Sequence, residues 1–151
     1  MPRTNLRNQD TYRTVLTRIE RLDPETRPQW GAMTPAQMLA HCAEVQEVSN
    51  GKGLEGTPFI ARLLKGMIRR MVLSDKPLPR GTRTHPQYRQ TADKDFAAEK
   101  QRLLHALESF LAQDETELEQ RAHPLFGKMT VEEKGWGMYK HLDHHLNQFG
   151  V

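Results

Sequence analysis

Two segments of this chain signal a helix start in the same way. In Thr34-Pro35-Ala36-Gln37 and in Thr130-Val131-Glu132-Glu133, a threonine precedes Gln or Glu by three residues at the head of an apolar stripe. This is the capping box: the threonine oxygen accepts from a backbone N–H of the first turn, and the longer side chain reaches back to the N-cap N–H. Pro35 suits the first helical position, where its missing N–H costs nothing. Elsewhere the apolar residues recur at three- and four-residue spacing, and no convincing strand pattern interrupts them. The chain is expected to be all-α.

Five helices are expected. The first runs from about Asp10 to Leu22, with Tyr12, Val15, Leu16, Ile19 and Leu22 at helical spacing, and ends at the proline-rich DPETRPQWG. The second runs from Thr34 to about Ser49, where NGKG stops it. Thr57-Pro58 opens a third, with Phe59, Ile60, Leu63, Leu64, Met67, Ile68 and Met71 on one face and Arg62, Lys65, Arg69 and Arg70 largely on the other. Residues 74–90, with three prolines and a glycine, read as a long loop. A fourth helix is expected from near Thr91 to near Gln113, on a stripe of Phe96, Leu103, Leu104, Leu107, Phe110 and Leu111. The connector HPLFGK leads to the last helix. Helices of this length suggest a bundle, with the loops at 51–56 and 74–90 available as crossovers.

At 151 residues the chain is long enough for one domain, 1–151, around a single core. Its longest apolar stretch, GTPFIARLLKGMIRRMVL, is interrupted by bases and cannot span a bilayer. The first ten residues lack the apolar centre of a secretion signal, and the single cysteine, Cys42, leaves no internal disulfide. A cytoplasmic protein is expected. The net charge of +3 is uneven: 51–90 holds nine Lys/Arg against two acids, or +7, while the rest has 13 bases and 17 acids, or −4. No aromatic residues alternate with these bases as single-strand binding requires, so a solvated face is favoured over a nucleic-acid partner.

The segment KHLDHHLNQFG carries three histidines in five positions. Val131, Met138, Leu142, Leu146 and Phe149 define the inner stripe of this helix. On a wheel of about 100° per residue His145 lies about 50° and His141 about 90° from its centre, on one side, with His144 about 150° away and facing solvent. Histidines at i and i+4 can converge on one metal ion. On the second helix His41 lies about 60° from an inner face of Met38, Leu39, Cys42 and Val45. If these helices are neighbours, His41, His141 and His145 form a tri-histidine site with an open position, catalytic in type and suited to Zn, Ni, Fe or Cu. The simpler alternative is three part-buried, hydrogen-bonded histidines.

MTPAQMLAH, ending in His41, and HLDHHLNQ, carrying His141 and His145, resemble the DinB/YfiT-like superfamily of metalloenzymes. The resemblance covers nearly the whole chain in helix order. It is closest to a branch sharing WGxMTPAQMLAH, HPLFG and KHLDHHLNQFG-like segments. It implies a four-helix bundle of DinB/YfiT type with an additional short helix or long crossover loop. It also implies one divalent transition metal, Zn, Ni or Fe, on His41, His141 and His145. Gln148 matches a glutamine that follows the second histidine of the pair. Many members carry Arg-Gly-Gln where this chain has Leu146-Asn147-Gln148, so any role of that arginine is lost. Characterised members are thiol-dependent transferases and isomerases using mycothiol, bacillithiol or glutathione. A low-molecular-weight thiol cosubstrate and a homodimer follow as expectations.

Around such a site, Gln148, Glu44, Trp30 and Tyr139 are candidates for an outer shell or pocket, although Glu44's wheel position is nearer solvent. Trp30 and Trp136 suit core or lid packing. Cys42 reads as a packed core thiol, since adjacent helical residues point about 100° apart. His123 precedes a proline and suits a fixed turn, while His85 and His105 read as surface residues. Arg80, Arg83 and Arg89 are candidates to meet an anionic cosubstrate. Two non-enzymatic readings stand beside the thiol transferase: a stress-related binding module, and a basic helix of Arg62, Lys65, Arg69 and Arg70 meeting nucleic acid or acidic membrane.

Overall fold

The computed structural model describes residues 3–151, and within them the chain is all-α. Helix α1 covers Gln9–Glu20, α2 Pro35–Ser49, α3 Phe59–Leu63, α4 Lys65–Leu73, α5 Phe96–Ala112, α6 Glu115–Gln120 and α7 Val131–Gln148. A 3-10 turn at Pro86–Tyr88 lies between α4 and α5. Both capping boxes form: Thr34 with Gln37 opens α2, and Thr130 with Glu133 opens α7.

Helix α2 is buried almost all round, as a helix at the centre of a domain must be. It packs most extensively on α5 and also meets α7 and the 3-10 turn. The core joins Val15 and Ile19 of α1 to Met38 and Leu39 of α2, Leu103, Leu107 and Phe110 of α5, and Leu142 and Leu146 of α7. The N-terminal segment adds Leu6, whose N–H donates to the Gly135 carbonyl at 3.1 Å. Gly135 must lack a side chain, because a Cβ there would sit 1.9 Å from Asn5 Oδ1.

The third helix departs from expectation. It breaks at Leu64 (φ −93°, ψ 4°) into α3 and α4, and neither buries a residue fully. Its apolar stripe faces outward. The space around α2 is already filled by α1, α5 and α7, and α4 docks on α7 through Val72 and Leu73 against Gly137. Trp136 Nε1 donates to the Leu73 carbonyl, and Lys140 Nζ donates to the Met71 and Ser74 carbonyls, so α7 satisfies the end of α4.

The fourth expected helix begins later, at Phe96, because Asp95 caps it by accepting from the Ala98 N–H. Helix α6 falls where a connector was expected. Asp114 caps it, Glu115 and Glu117 occupy its first turn, and Leu118 is its one buried residue. No helix among the described residues is long and apolar enough to cross a membrane.

Candidate metal centre

The capping box of α2 sets its register, and that register points His41 toward α7. His41 is 5% exposed. Its Nδ1 lies 2.9 Å from the carbonyl oxygen of Tyr88, in the 3-10 turn. A carbonyl only accepts, so Nδ1 carries the proton and Nε2 presents a lone pair. That Nε2 lies 3.0 Å from His141 Nε2.

Helix α7 contributes His141 and, one turn later, His145. Gln148 fixes the second ring. Its Nε2 donates to the Trp30 carbonyl at 2.8 Å, which leaves Oε1 to accept from His145 Nδ1 at 2.7 Å. His145 therefore also presents Nε2 as a lone pair. Gly31 makes room for this relay. It has φ +79°, and a Cβ there would lie 2.7 Å from Gln148 Nε2.

One ring nitrogen from each of His41, His141 and His145 lies within 4.8 Å of the others. Two nitrogens bound to one ion at 2.0–2.1 Å stand about 3.3 Å apart in tetrahedral geometry, close to the 3.0 Å between His41 Nε2 and His141 Nε2. The protonation states suit it too. Burial lowers the pKa of all three, His141 well below the ordinary value and His145 to about 3, and the neighbouring rings add to the effect. They are neutral at physiological pH, as metal ligation requires. These residues can hold a metal ion.

This geometry lies within residues 3–150, over which the sequence matches the model of a family described as "Protein of unknown function (DUF1569)". The chain belongs to the DUF1569 family. No match was found among curated proteins or among solved structures. The DUF1569 description names no activity, so the chemistry must be argued from the residues themselves.

Gln148 and Trp30 stand next to the triad in this DUF1569 chain, while two other candidates lie elsewhere. Tyr139 stacks on Trp136, their ring centroids 6.1 Å apart. Glu44 is buried at 7% exposure rather than solvated, because Lys52 and Arg102 pair with it and Gln87 donates to it. It bears on His41 only through the turn that carries Tyr88. His144 is half-buried rather than facing solvent, because Trp30 covers it edge-on with ring centroids 5.7 Å apart. Its other side meets His145 at 5.0 Å. Cys42 is a core thiol with its pKa pushed up by burial. His123 fixes its turn, its Nδ1 accepting from the N–H groups of Leu125 and Phe126. His85 accepts from the Gln87 N–H at the 3-10 turn, and His105 is exposed. Arg83 and Arg89 are exposed, whereas Arg80 lies 3.9 Å over the Trp30 ring.

A cleft of about 540 Å³ opens on the far side of His144, lined by Trp30, Leu78, Arg80, Lys140 and Asp143 among others. Sequence reasoning missed two features here. Gly31 was visible only as part of a motif, and the Tyr88 carbonyl belongs to the backbone and leaves no residue signature.

Two outcomes follow. Gln148→Leu should weaken metal affinity about 10–100-fold, the usual cost of losing an outer partner, and Gly31→Ala should act in the same direction. Both are read by competition titration with a chromophoric chelator. Second, the metal-free protein should lose stability in acid. His145 is held at about 3 and His123 at about 4, chiefly by burial, against an ordinary value near 6.5. Below about 6.5 the unfolded chain takes up protons that the folded chain refuses, so the melting temperature should fall steadily from pH 6.5 toward 4.

Proposed function

We propose that this chain is a four-helix bundle of DinB/YfiT type that holds one divalent transition-metal ion, Zn, Ni or Fe, on His41, His141 and His145. We further propose that it catalyses a thiol-dependent transfer. One observation carries the reading. Tyr88 and Gln148 occupy the outer nitrogens of two rings, so their inner nitrogens are left as lone pairs beside a ring nitrogen of His141, all three within 4.8 Å of one another. The His41 Nε2 lone pair faces His141 Nε2 at 3.0 Å, a spacing that a shared proton or a bound cation satisfies. Orienting ligand imidazoles through their second nitrogen is the usual partner arrangement around a metal.

When bound, the ion supplies Lewis acidity that lowers the pKa of a water or thiol. The chain's own residues would handle the rest. Tyr88 and Gln148 keep the ligand rings from turning, and the core beneath them excludes water. The cleft beside His144 would seat the organic part of a thiol such as glutathione or bacillithiol, with Trp30 as an apolar wall and Arg80 opposite a carboxylate.

The test is thiol consumption by metal-reconstituted protein against a panel of electrophiles, with His141→Ala as control. Turnover in the wild type, absent in the variant, supports the reading. A protein that binds metal yet consumes no thiol would leave a non-enzymatic binding module. A protein that takes up no metal would remove the centre altogether.

A further inference from the structure

The exposed large apolar side chains among the described residues all fall on α3, on α4 or at their junction: Phe59 at 75%, Ile60 at 60%, Leu63 at 63%, Leu64 at 39% and Met67 at 56% exposed. Their spacing puts them on one stripe about 140° wide, turned away from the side of α4 that docks on α7. The five amount to roughly 500 Å² of side chain, within the range at which an exposed patch on a monomer usually serves an interaction. On the same wheel Arg70 falls within the stripe's arc and Arg62 borders it, while Lys65 lies on the opposite face. All three are exposed, and none forms an ion pair among the described residues. Arg69, by contrast, turns inward to Glu133 at 2.9 Å.

We infer that α3 and α4 form an interfacial helix that lays this stripe onto an anionic lipid surface. The charge pattern decides between the occupants. A second copy meeting the same face would add its own Arg62 and Arg70 to a surface that offers no acid to pair them, and roughly 500 Å² falls short of the about 800 Å² per partner of a stable interface. A bilayer surface meets both needs. It takes the apolar side chains below the headgroups and offers phosphates to the bases at their level. Few acids oppose this: the segment 51–90 carries only Glu55 and Asp75. This docking is independent of the metal centre.

Co-sedimentation of the intact protein with vesicles tests it. Wild type should bind vesicles of equal parts phosphatidylglycerol and phosphatidylcholine and release them as salt rises, while phosphatidylcholine alone should not retain it. Phe59→Asp with Leu63→Asp should abolish binding. Arg62→Gln with Arg70→Gln should weaken it on the order of 30-fold. These positions are exposed, and circular dichroism will show that the variants keep their helices. Metal-free and metal-loaded protein should behave alike, which separates this result from the fate of the metal centre. No binding to the anionic vesicles at low salt overturns the inference. A wild-type dimer in light scattering that Leu63→Asp converts to monomer also overturns it, assigning the stripe to a second copy.

Discussion

His141→Ala should yield a folded protein that has lost its metal. His141 makes no side-chain hydrogen bond among the described residues other than that to His41, so its removal leaves no other polar partner unpaired and the helices should stay in place. The loss of affinity should exceed the roughly 10–100-fold expected for an outer partner, because a bond to the ion itself disappears. His41→Ala should do the same to the metal, with a larger effect on stability, since its Nδ1 also holds the Tyr88 turn. His144→Ala is the informative control. It is adjacent in sequence and touches His145, yet falls outside the converging set, so metal content should survive. Elemental mass spectrometry of tag-free protein reads the stoichiometry. Thermal melting gives a second readout: metal at about 100 times its dissociation constant adds roughly 2.7 kcal/mol, or about 5–10 °C for a domain of this size, and neither ligand variant should show the shift. A wild type that takes up no ion after reconstitution would leave three histidines that merely pack.

What could be read before the fold was known was local. The Thr34 and Thr130 capping boxes depend on residues three apart, and both form. The wheel angles of His41, His141 and His145 depend only on helix geometry. Whether α2 lies beside α7 depends on the whole domain, so the convergence of the three rings could only be a condition. His144 shows the limit of the wheel. Its angle points outward, but the chain between α1 and α2 passes over it and places Trp30 there. Glu44 fails similarly, drawn under Lys52 and Arg102 by partners distant in sequence.

The third helix shows a different limit. An amphipathic stripe states that a face exists but not what covers it, and here the core is complete without it. Helix α6 had a start signal in Asp114 with Glu115 and Glu117. With Leu118 alone buried, however, it had no periodicity to read.

Lys134 was invisible for the same reason and carries the second large effect. It lies on α7 at 2% exposure, and its ammonium donates to the Leu118 carbonyl and, at 2.8 Å, to the Arg121 carbonyl. Those are unsatisfied acceptors at the end of α6, where a cation also meets the negative end of the helix dipole. Burial and the nearby Arg121 charge lower its pKa, against an upward pull from Glu119. Lys134→Ala should destabilise the protein by about 3–5 kcal/mol, since it leaves a cavity and takes the donor from the buried Leu118 carbonyl and the part-buried Arg121 carbonyl. Lys134→Met keeps the volume of the stem and should cost only about 1–3 kcal/mol, the desolvation penalty of those carbonyls. Urea denaturation of both variants separates the packing contribution from the hydrogen bonds. His123 supplies an internal reporter. Burial holds its pKa at about 4, and the Lys134 charge adds to the depression. Its NMR titration should therefore move upward in Lys134→Met, where the cation is gone and the fold remains. Equal losses in the two variants would mean that the stem contributes nothing and that only the ammonium matters.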